Sequence, residues 1–378
     1  MRMAAWGAKI TPLNHFNAIS QNGERLKKQW IVGLLALAAI AALVFLGRDR
    51  VHFDFGVFRS QLAQADPIKI AVSIACVYLA DVSRAVRWAL LLRHIKKVGP
   101  FSLIGTQVMG FTAIALVGRV ADPVRPYLVA RKTGLPITSQ IAVYIVERLF
   151  DAGAMALIFC TVILLAPSGA MPHGEMVKRS AYWGLIFTVL GSVFVVAVRV
   201  AGATVASFME HSLGGFSKKL AHAIGHKIRA FHAGLDIMRS FSDFAATAAV
   251  SLLMWVVILT AYLEIMRAFA ASPRLAAATI PDCLVTMVAS GAAGATQLPI
   301  IGWFTQTAIV AALLTKFFGV APEAATACAA TMLIVTFLSI APVGLIWAQV
   351  ENVSLRKVTA ETEHAIEVLT EDETESAG

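Results

Sequence analysis

Residues 118–151 read GRVADPVRPYLVARKTGLPITSQIAVYIVERLFD, and they lie between long apolar segments. This stretch nevertheless contains eight charged side chains and three prolines, which an uninterrupted helix would not accept. Ionisable groups and interrupted backbone at membrane depth are costly unless they line a polar cavity. We therefore interpret this stretch as the wall of a binding site.

The composition is that of an all-α, polytopic helical membrane protein. Of the 378 residues, 58% are hydrophobic and only 15% are charged, and the mean hydropathy is +0.74. These values differ strongly from those of a soluble domain. The four cysteines stand alone in apolar segments, which favours buried small side chains, and we expect no metal and no cofactor.

The distribution of Lys and Arg predicts the topology. Residues 1–29 form a basic segment that the positive-inside rule places in the cytoplasm, and the apolar run 30–47 is expected to remain as a signal anchor. The transmembrane domain is predicted over residues 30–350, with six to eight spans and both termini on the cytoplasmic side of the cell (inner) membrane. The clearest spans are residues 30–47, 67–93, 139–166, 180–198, 245–269 and 322–350.

Two cytoplasmic segments complete this plan. Residues 199–243 interleave Lys, Arg and His with apolar residues at helical spacing, which predicts a basic amphipathic connector on the anionic leaflet surface. Residues 351–378 are predicted to be an acidic, disordered tail.

Two broken apolar segments predict an inverted repeat. Residues 100–133 contain a short apolar run with positive charge at both ends, which indicates a re-entrant hairpin from the cytoplasm; a full crossing is the alternative. Residues 283–319 are dense in Gly, Ala and Ser and are split at Leu298–Pro299, and the topology makes them enter from outside. Discontinuous helices in inverted repeats are typical of secondary transporters.

Charged residues on the predicted helices mark the candidate site. Arg84 lies roughly 13 Å deeper than Arg93 at 1.5 Å per residue, so it needs a partner, and Asp81 at i−3 can supply a structural ion pair. We expect Arg84 and Arg87 to face the interior of the bundle.

A second group of charges lies on the helix predicted over residues 139–166. Glu147 and Asp151 are one helical turn apart with Arg148 beside them, the outline of an intramembrane charge network. The network either only neutralises nearby arginines or also couples proton movement to a substrate.

In the bend of the first hairpin, Arg119 and Arg125 flank Asp122. Guanidinium groups together with exposed helix N-termini suit a phosphate, which favours a large apolar molecule with an anionic head; anchoring at the headgroup level is the alternative. The candidate substrate-binding residues are Arg84, Arg87, Arg119, Asp122, Arg125, Glu147, Arg148 and Asp151.

Four motifs carry a resemblance to a known family. RAVRW at residues 84–88, GRVADPVRPYLVARKTGLP, VERLFD and the late LPIIGW resemble the membrane region of lysylphosphatidylglycerol synthases and related flippase-like proteins. The resemblance implies a protein that moves a lipid between leaflets. The chain departs from the family pattern in two places. Ala121–Asp122 stands where the family usually has Gly-Glu. Residues 300–303 stand where the family has a glycine-rich loop that ends in an acidic residue, and Gln306 or Thr305 lies near the position of that acid.

We therefore expect a flippase or transporter for an anionic phospholipid or isoprenoid-phosphate-type lipid, and not an enzyme. The sequence contains no Walker A, GxSxG, HExxH or Rossmann motif, and the synthases' aminoacyl-transfer domain is not part of it, so lipid aminoacylation is not expected. The alternative is a non-transporting lipid-binding or scaffold subunit that joins an enzyme of lipid or glycan biosynthesis. A third possibility is an intramembrane transferase acting through Glu147 and Asp151. No nucleic-acid partner is expected.

Overall fold

The computed structural model describes residues 53–167, 169, 174–214, 224, 225, 228, 240–295, 301–354, 358, 359, 361 and 362. These residues form helices joined by short turns, so the predicted all-α class is confirmed. The helices are α1 (Phe55–Ala63), α2 (Pro67–Leu92), α3 (Pro100–Val117), α4 (Val124–Thr133), α5 (Ile137–Leu165), α6 (Gly174–Gly214), α7 (Phe241–Ala268), α8 (Pro273–Ala276), α9 (Ile280–Ala295), α10 (Ile301–Lys316), α11 (Pro322–Leu333) and α12 (Ile340–Val350).

Four helical stretches of the described residues are long and apolar enough to cross a membrane. They are α3, α5, α7 and the continuous stretch Pro322–Val350, in which a π-helical turn, Ile334–Leu338, joins α11 to α12. The two limbs of the bent helix α6 make a fifth if they are counted together as one span. The predicted total of six to eight spans includes two further segments: α2, which has 26 residues and carries Arg84 and Arg87, and residues 30–47, which lie outside the described residues.

The first hairpin consists of α3, a 3-10 turn at Arg119–Ala121, and α4. Its two ends meet, because the Lys96 Nζ before α3 donates a 2.6 Å hydrogen bond to the Thr133 carbonyl oxygen at the end of α4. Gly134 then ends α4 with a φ of +66°, a left-handed conformation that favours glycine. The segment therefore enters and leaves on one side of the protein, as predicted for a re-entrant element.

The second hairpin consists of α9 and α10, and its ends also lie together. The Arg274 guanidinium contacts Asp282 in the first turn of α9 at 3.2 Å and lies 5.4 Å from the centre of the Phe318 ring just beyond α10. The predicted break at Leu298–Pro299 falls in residues 296–300, which lie outside the described residues.

The two hairpins start from opposite ends of an antiparallel helix pair, α2 and α7. At one end of the pair the Asp66 N–H donates to the Ala268 carbonyl at 2.9 Å, and at the other end His94 lies 2.8 Å from Asp243. The first hairpin follows the His94 end and the second follows the Ala268 end. Each repeat thus consists of a helix, a hairpin and a second helix, and the two repeats run in opposite directions. The first repeat contains α2, α3–α4 and α5, and the second contains α7, α9–α10 and α11–α12.

Glycine allows the first hairpin to pack closely on the last helix of the second repeat. A Cβ on Gly344 of α12 would lie 2.7 Å from Thr112 Cβ and 3.0 Å from the Val108 carbonyl oxygen of α3. A Cβ on Gly105 of α3 would overlap the Trp347 indole. These contacts join the two repeats across the bundle.

Helix α6 bends by 76° between its limbs, Gly174–Val195 and Ala197–Ser212. Val198 and Ala206 of the second limb are buried in one cluster with Trp88 and Leu92 at the end of α2. The basic connector predicted over residues 199–243 continues into residues 215–239, most of which lie outside the described residues.

The described residues beyond α12 contact the first hairpin. Glu351 accepts a 2.7 Å bond from Lys132 Nζ, and Glu361 accepts a 2.8 Å bond from the Tyr127 hydroxyl. Val358 is buried beside Leu128. The described part of the predicted disordered tail is therefore in contact with α4, and residues 363–378 lie outside the described residues.

Candidate functional site

Arg87 on α2 is the centre of a buried ionic network between three helices. Its side chain is 0% exposed. Nη2 donates to Glu147 Oε1 of α5 at 2.6 Å, and Nη1 donates to Asp151 Oδ1 at 2.5 Å and to Ser251 Oγ of α7 at 2.9 Å. The two carboxylates neutralise this guanidinium, and the Ser251 hydroxyl accepts a further hydrogen bond.

Arg125 brings the first hairpin into the same network. Its Nη2 donates to both oxygens of Glu147 at 3.0 and 3.2 Å, and its Nε donates to Gln107 Oε1 of α3 at 3.0 Å. Arg125 and Glu147 are each 1% exposed. Gly110 makes room for the side chain, since a Cβ there would lie 2.1 Å from Arg125 Cγ. Glu147 therefore bridges α2, α4 and α5.

Aromatic rings cover the guanidinium groups. The Phe111 ring centre lies 4.6 Å from the guanidinium carbons of both Arg84 and Arg125. The Tyr144 ring lies 5.1 Å from Arg148, and Trp88, whose Nε1 donates to Gln140, lies 5.3 Å from Arg125. Cation–π contacts of this kind add to the ion pairs.

Two arginines lie at the margin of the network. Arg84 pairs with Asp81 at 2.7 Å, as the i−3 spacing predicted, and its side chain is 16% exposed. Arg148 contacts Asp151 at 3.0 Å and Glu147 at 3.3 Å, yet 40% of its side chain is exposed. We call Asp81, Arg84, Arg87, Arg125, Glu147, Arg148 and Asp151 the charged cluster.

The charged cluster lies deep in the bundle. Asp151 is midway between Ile137 and Leu165, about 21 Å from either end of α5 at 1.5 Å per residue. Ser251 is in the first half of α7, and Arg87 lies five residues before Leu92. The side chains therefore converge on one place inside the helix bundle.

The remaining two predicted site residues lie at the tip of the first hairpin. Arg119 and Asp122 form a loose pair at 3.8 Å, outside the ion pairs of the charged cluster. The Arg119 Nε donates to the Gly294 carbonyl oxygen at the far end of α9 at 2.5 Å. The tip of the first hairpin thus contacts the end of α9 in the second hairpin, which enters from the opposite side.

The charged residues of the site were identified from the sequence, but their uncharged partners were missed. Gln107, Gln140 and Ser251 were not predicted, and neither was the ring of Phe111. An amide in the apolar run of residues 101–117 was a usable signal for Gln107, since an amide in hydrocarbon needs a partner. Phe111 carried no signal, because aromatic residues are common in any membrane helix.

The second hairpin holds a polar group without charge. The Tyr262 hydroxyl lies 3.2 Å from Ser290 Oγ, which accepts a 2.8 Å bond from Gln306 Nε2. No charged residue occurs in the sequence from 283 to 315. The second hairpin therefore supplies buried amide and hydroxyl groups but no formal charge between residues 283 and 315.

The arrangement is suited to holding an anion. Four guanidinium groups and three carboxylates leave the charged cluster with one excess positive charge, and the Arg119–Asp122 pair adds none. Within the described part of the chain, no three His, Cys, Asp or Glu side chains are grouped as a metal site would require. Guanidinium donors favour phosphate or carboxylate oxygens as ligands.

A scan against family models gives one match for this chain. The model described as "Lysylphosphatidylglycerol synthase TM region" matches residues 30–344, most of the chain and all of the charged cluster. No curated protein matches the sequence.

Proposed function

The chain belongs to the family of the lysylphosphatidylglycerol synthase transmembrane region, and on this premise we propose that it is a lipid flippase. The family supports a membrane protein with a lipid-related role. The proposed cargo is an anionic phospholipid or an isoprenoid-phosphate-type lipid, which the protein moves between the leaflets. The proposed activity is transport and not catalysis.

The observation that carries the proposal is the contact between the tip of the first hairpin and the end of α9 in the second hairpin. A re-entrant hairpin from each side can open its own leaflet while the other remains closed. The Arg119–Gly294 contact at 2.5 Å is a closed gate between the two sides in this geometry. In the proposed cycle this contact breaks when the head group passes.

We propose different roles for the buried and the exposed site residues. Arg87 and Arg125 are buried and each is bound to Glu147, so they hold the site in shape. Arg84, Arg119 and Arg148 retain exposed surface and would contact the head group. Asp122 orients Arg119, and Asp151 orients Arg148. Coupling to protons through Glu147 or Asp151 stays a prediction.

The test is lipid movement in reconstituted vesicles. A fluorescent anionic phospholipid is placed in both leaflets, and a membrane-impermeant reductant reports the fraction that reaches the outer leaflet. We expect Arg148→Ala to slow this movement at least about tenfold, the loss of one charge-assisted contact of about 1.5 kcal/mol or more. Arg131→Ala, an exposed arginine at the end of α4, is the matched control and should move lipid at the normal rate.

Two results would count against the proposal. Unchanged movement in the Arg148→Ala protein would show that the site residues are misassigned. A wild-type protein that binds the lipid but leaves its distribution unchanged would favour the non-transporting lipid-binding or scaffold subunit, and co-purification of a biosynthetic enzyme would support that alternative further.

A further inference from the structure

The net charge of the charged cluster distinguishes between classes of anionic lipid. The cluster carries one excess positive charge. The second hairpin adds no charge, because residues 283–315 are uncharged. The nearest additional pair, Arg119 and Asp122, is neutral as a pair. The charge available to a head group in this site is therefore a single positive unit.

The cluster also has hydrogen-bonding capacity that its own residues leave unused. The Nε atoms of Arg84, Arg87 and Arg148 are buried and have no hydrogen-bond partner among the described residues, and the same is true of Gln107 Nε2. All four are donors. Asp81 Oδ2, an acceptor in the same cluster, is likewise buried and has no hydrogen-bond partner among the described residues. A head group with several acceptor oxygens and a hydroxyl donor matches this set.

We propose that the site selects a monoanionic phosphodiester head group over phosphomonoester and zwitterionic lipids. This inference rests on the proposed function, whose cargo it narrows. With a phosphodiester bound, the charged groups sum to zero. A dianionic phosphomonoester leaves one uncompensated negative charge, and a zwitterion leaves the positive one. Uncompensated charge away from water carries a large desolvation penalty, so the neutral complex is favoured.

Selectivity is measured by direct competition, independently of transport. Purified protein in detergent is mixed with equal amounts of phosphatidylglycerol, phosphatidic acid and phosphatidylcholine of the same acyl chains, and bound lipid is counted by native mass spectrometry. The mixture is held at about pH 8.5, above the second ionisation of a phosphomonoester near pH 6. We expect phosphatidylglycerol to lead both competitors by at least about tenfold, equivalent to about 1.4 kcal/mol.

Two substitutions shift the charge of the site in opposite directions. Asp151→Asn raises the excess to two and should move the preference toward phosphatidic acid. Arg148→Gln lowers it to zero and should remove the advantage of phosphatidylglycerol over phosphatidylcholine. The controls make the same charge changes at exposed positions outside the cluster, Glu175→Gln and Arg131→Gln, and should keep the wild-type preference.

Several outcomes would overturn the inference. One is equal binding of phosphatidic acid and phosphatidylglycerol by the wild-type protein, a measurement that does not depend on the folding of any variant. A control that shifts the preference as far as its cluster counterpart would assign the effect to surface attraction. Glycerophosphoglycerol is the same phosphodiester without acyl chains. If it displaced bound lipid as effectively as phosphatidylglycerol does, the assignment to a lipid would be overturned. Selective binding without lipid movement would refute the flippase and leave this inference standing.

Discussion

Gly110→Ala tests whether the close approach of α3 and α4 builds the site. The new Cβ would lie 2.1 Å from Arg125 Cγ, whereas ordinary contacts begin at 3.4 Å, so one of the two groups must move by more than an ångström. Arg125 has little freedom to do so, because its guanidinium is held by Glu147 at 3.0 Å and by Gln107 at 3.0 Å. A shift of that size takes both hydrogen bonds beyond bonding distance.

The magnitude follows from three contributions. Overpacking costs about 1–3 kcal/mol. Loss of hydrogen bonds to a charged group costs about 1.5–3 kcal/mol. Replacement of glycine by alanine in a helix stabilises the folded protein by about 1 kcal/mol, because alanine has the higher helix propensity. We expect the free energy of unfolding to fall by about 1.5–5 kcal/mol, and binding of an anionic lipid to weaken with it.

Gly153→Ala on α5 is the matched control. A Cβ at this position meets nothing within 4 Å, so only the helix propensity changes. This variant should be more stable by up to about 1 kcal/mol. Both proteins are unfolded in detergent by increasing SDS mole fraction and followed by circular dichroism. If the two substitutions shift stability in the same direction, Gly110 does not shape the Arg125 site.

Three further predictions use the same unfolding measurement. Glu147→Gln should lower the free energy of unfolding by about 3–5 kcal/mol, because three guanidinium groups lose a shared buried carboxylate; a loss below about 1 kcal/mol would mean that the network is solvated. Gly344→Ala should lower the free energy of unfolding by about 1–3 kcal/mol, because the new Cβ pushes α12 away from Thr112 on α3. Unchanged stability would mean that the two helices are not in such close contact. Trp88→Phe should cost about 1–3 kcal/mol, since it removes the donor to the buried Gln140 oxygen; a neutral effect would show that this amide is hydrated.

Much of the membrane plan could be read from local sequence. The predicted helix over residues 139–166 corresponds to Ile137–Leu165, and the final helix, predicted over 322–350, corresponds to Pro322–Val350. The Asp81–Arg84 pair was also predicted, because residues three apart on a helix lie on the same face. In each case the information lies within one helix.

The depth and grouping of the site could be predicted only in part. The sequence predicted eight substrate-binding residues, and the structure divides them between the charged cluster and the hairpin tip, where Arg119 contacts Gly294. Spacing along the chain does not show how far a re-entrant hairpin penetrates, so the sequence did not separate these two groups.

The sequence by itself determined the all-helical membrane class and the interruption of two apolar segments. Hydropathy, proline and the placement of Lys and Arg act locally, so these features need no knowledge of the fold. Only the tertiary structure decided that Glu147 binds both Arg87 and Arg125, which precede it by 60 and 22 residues, and that Ser251 completes the set. Partner choice among equal charges depends on which faces the packed helices present. Here a missing Cβ at Gly110 gives Arg125 room to enter the cluster.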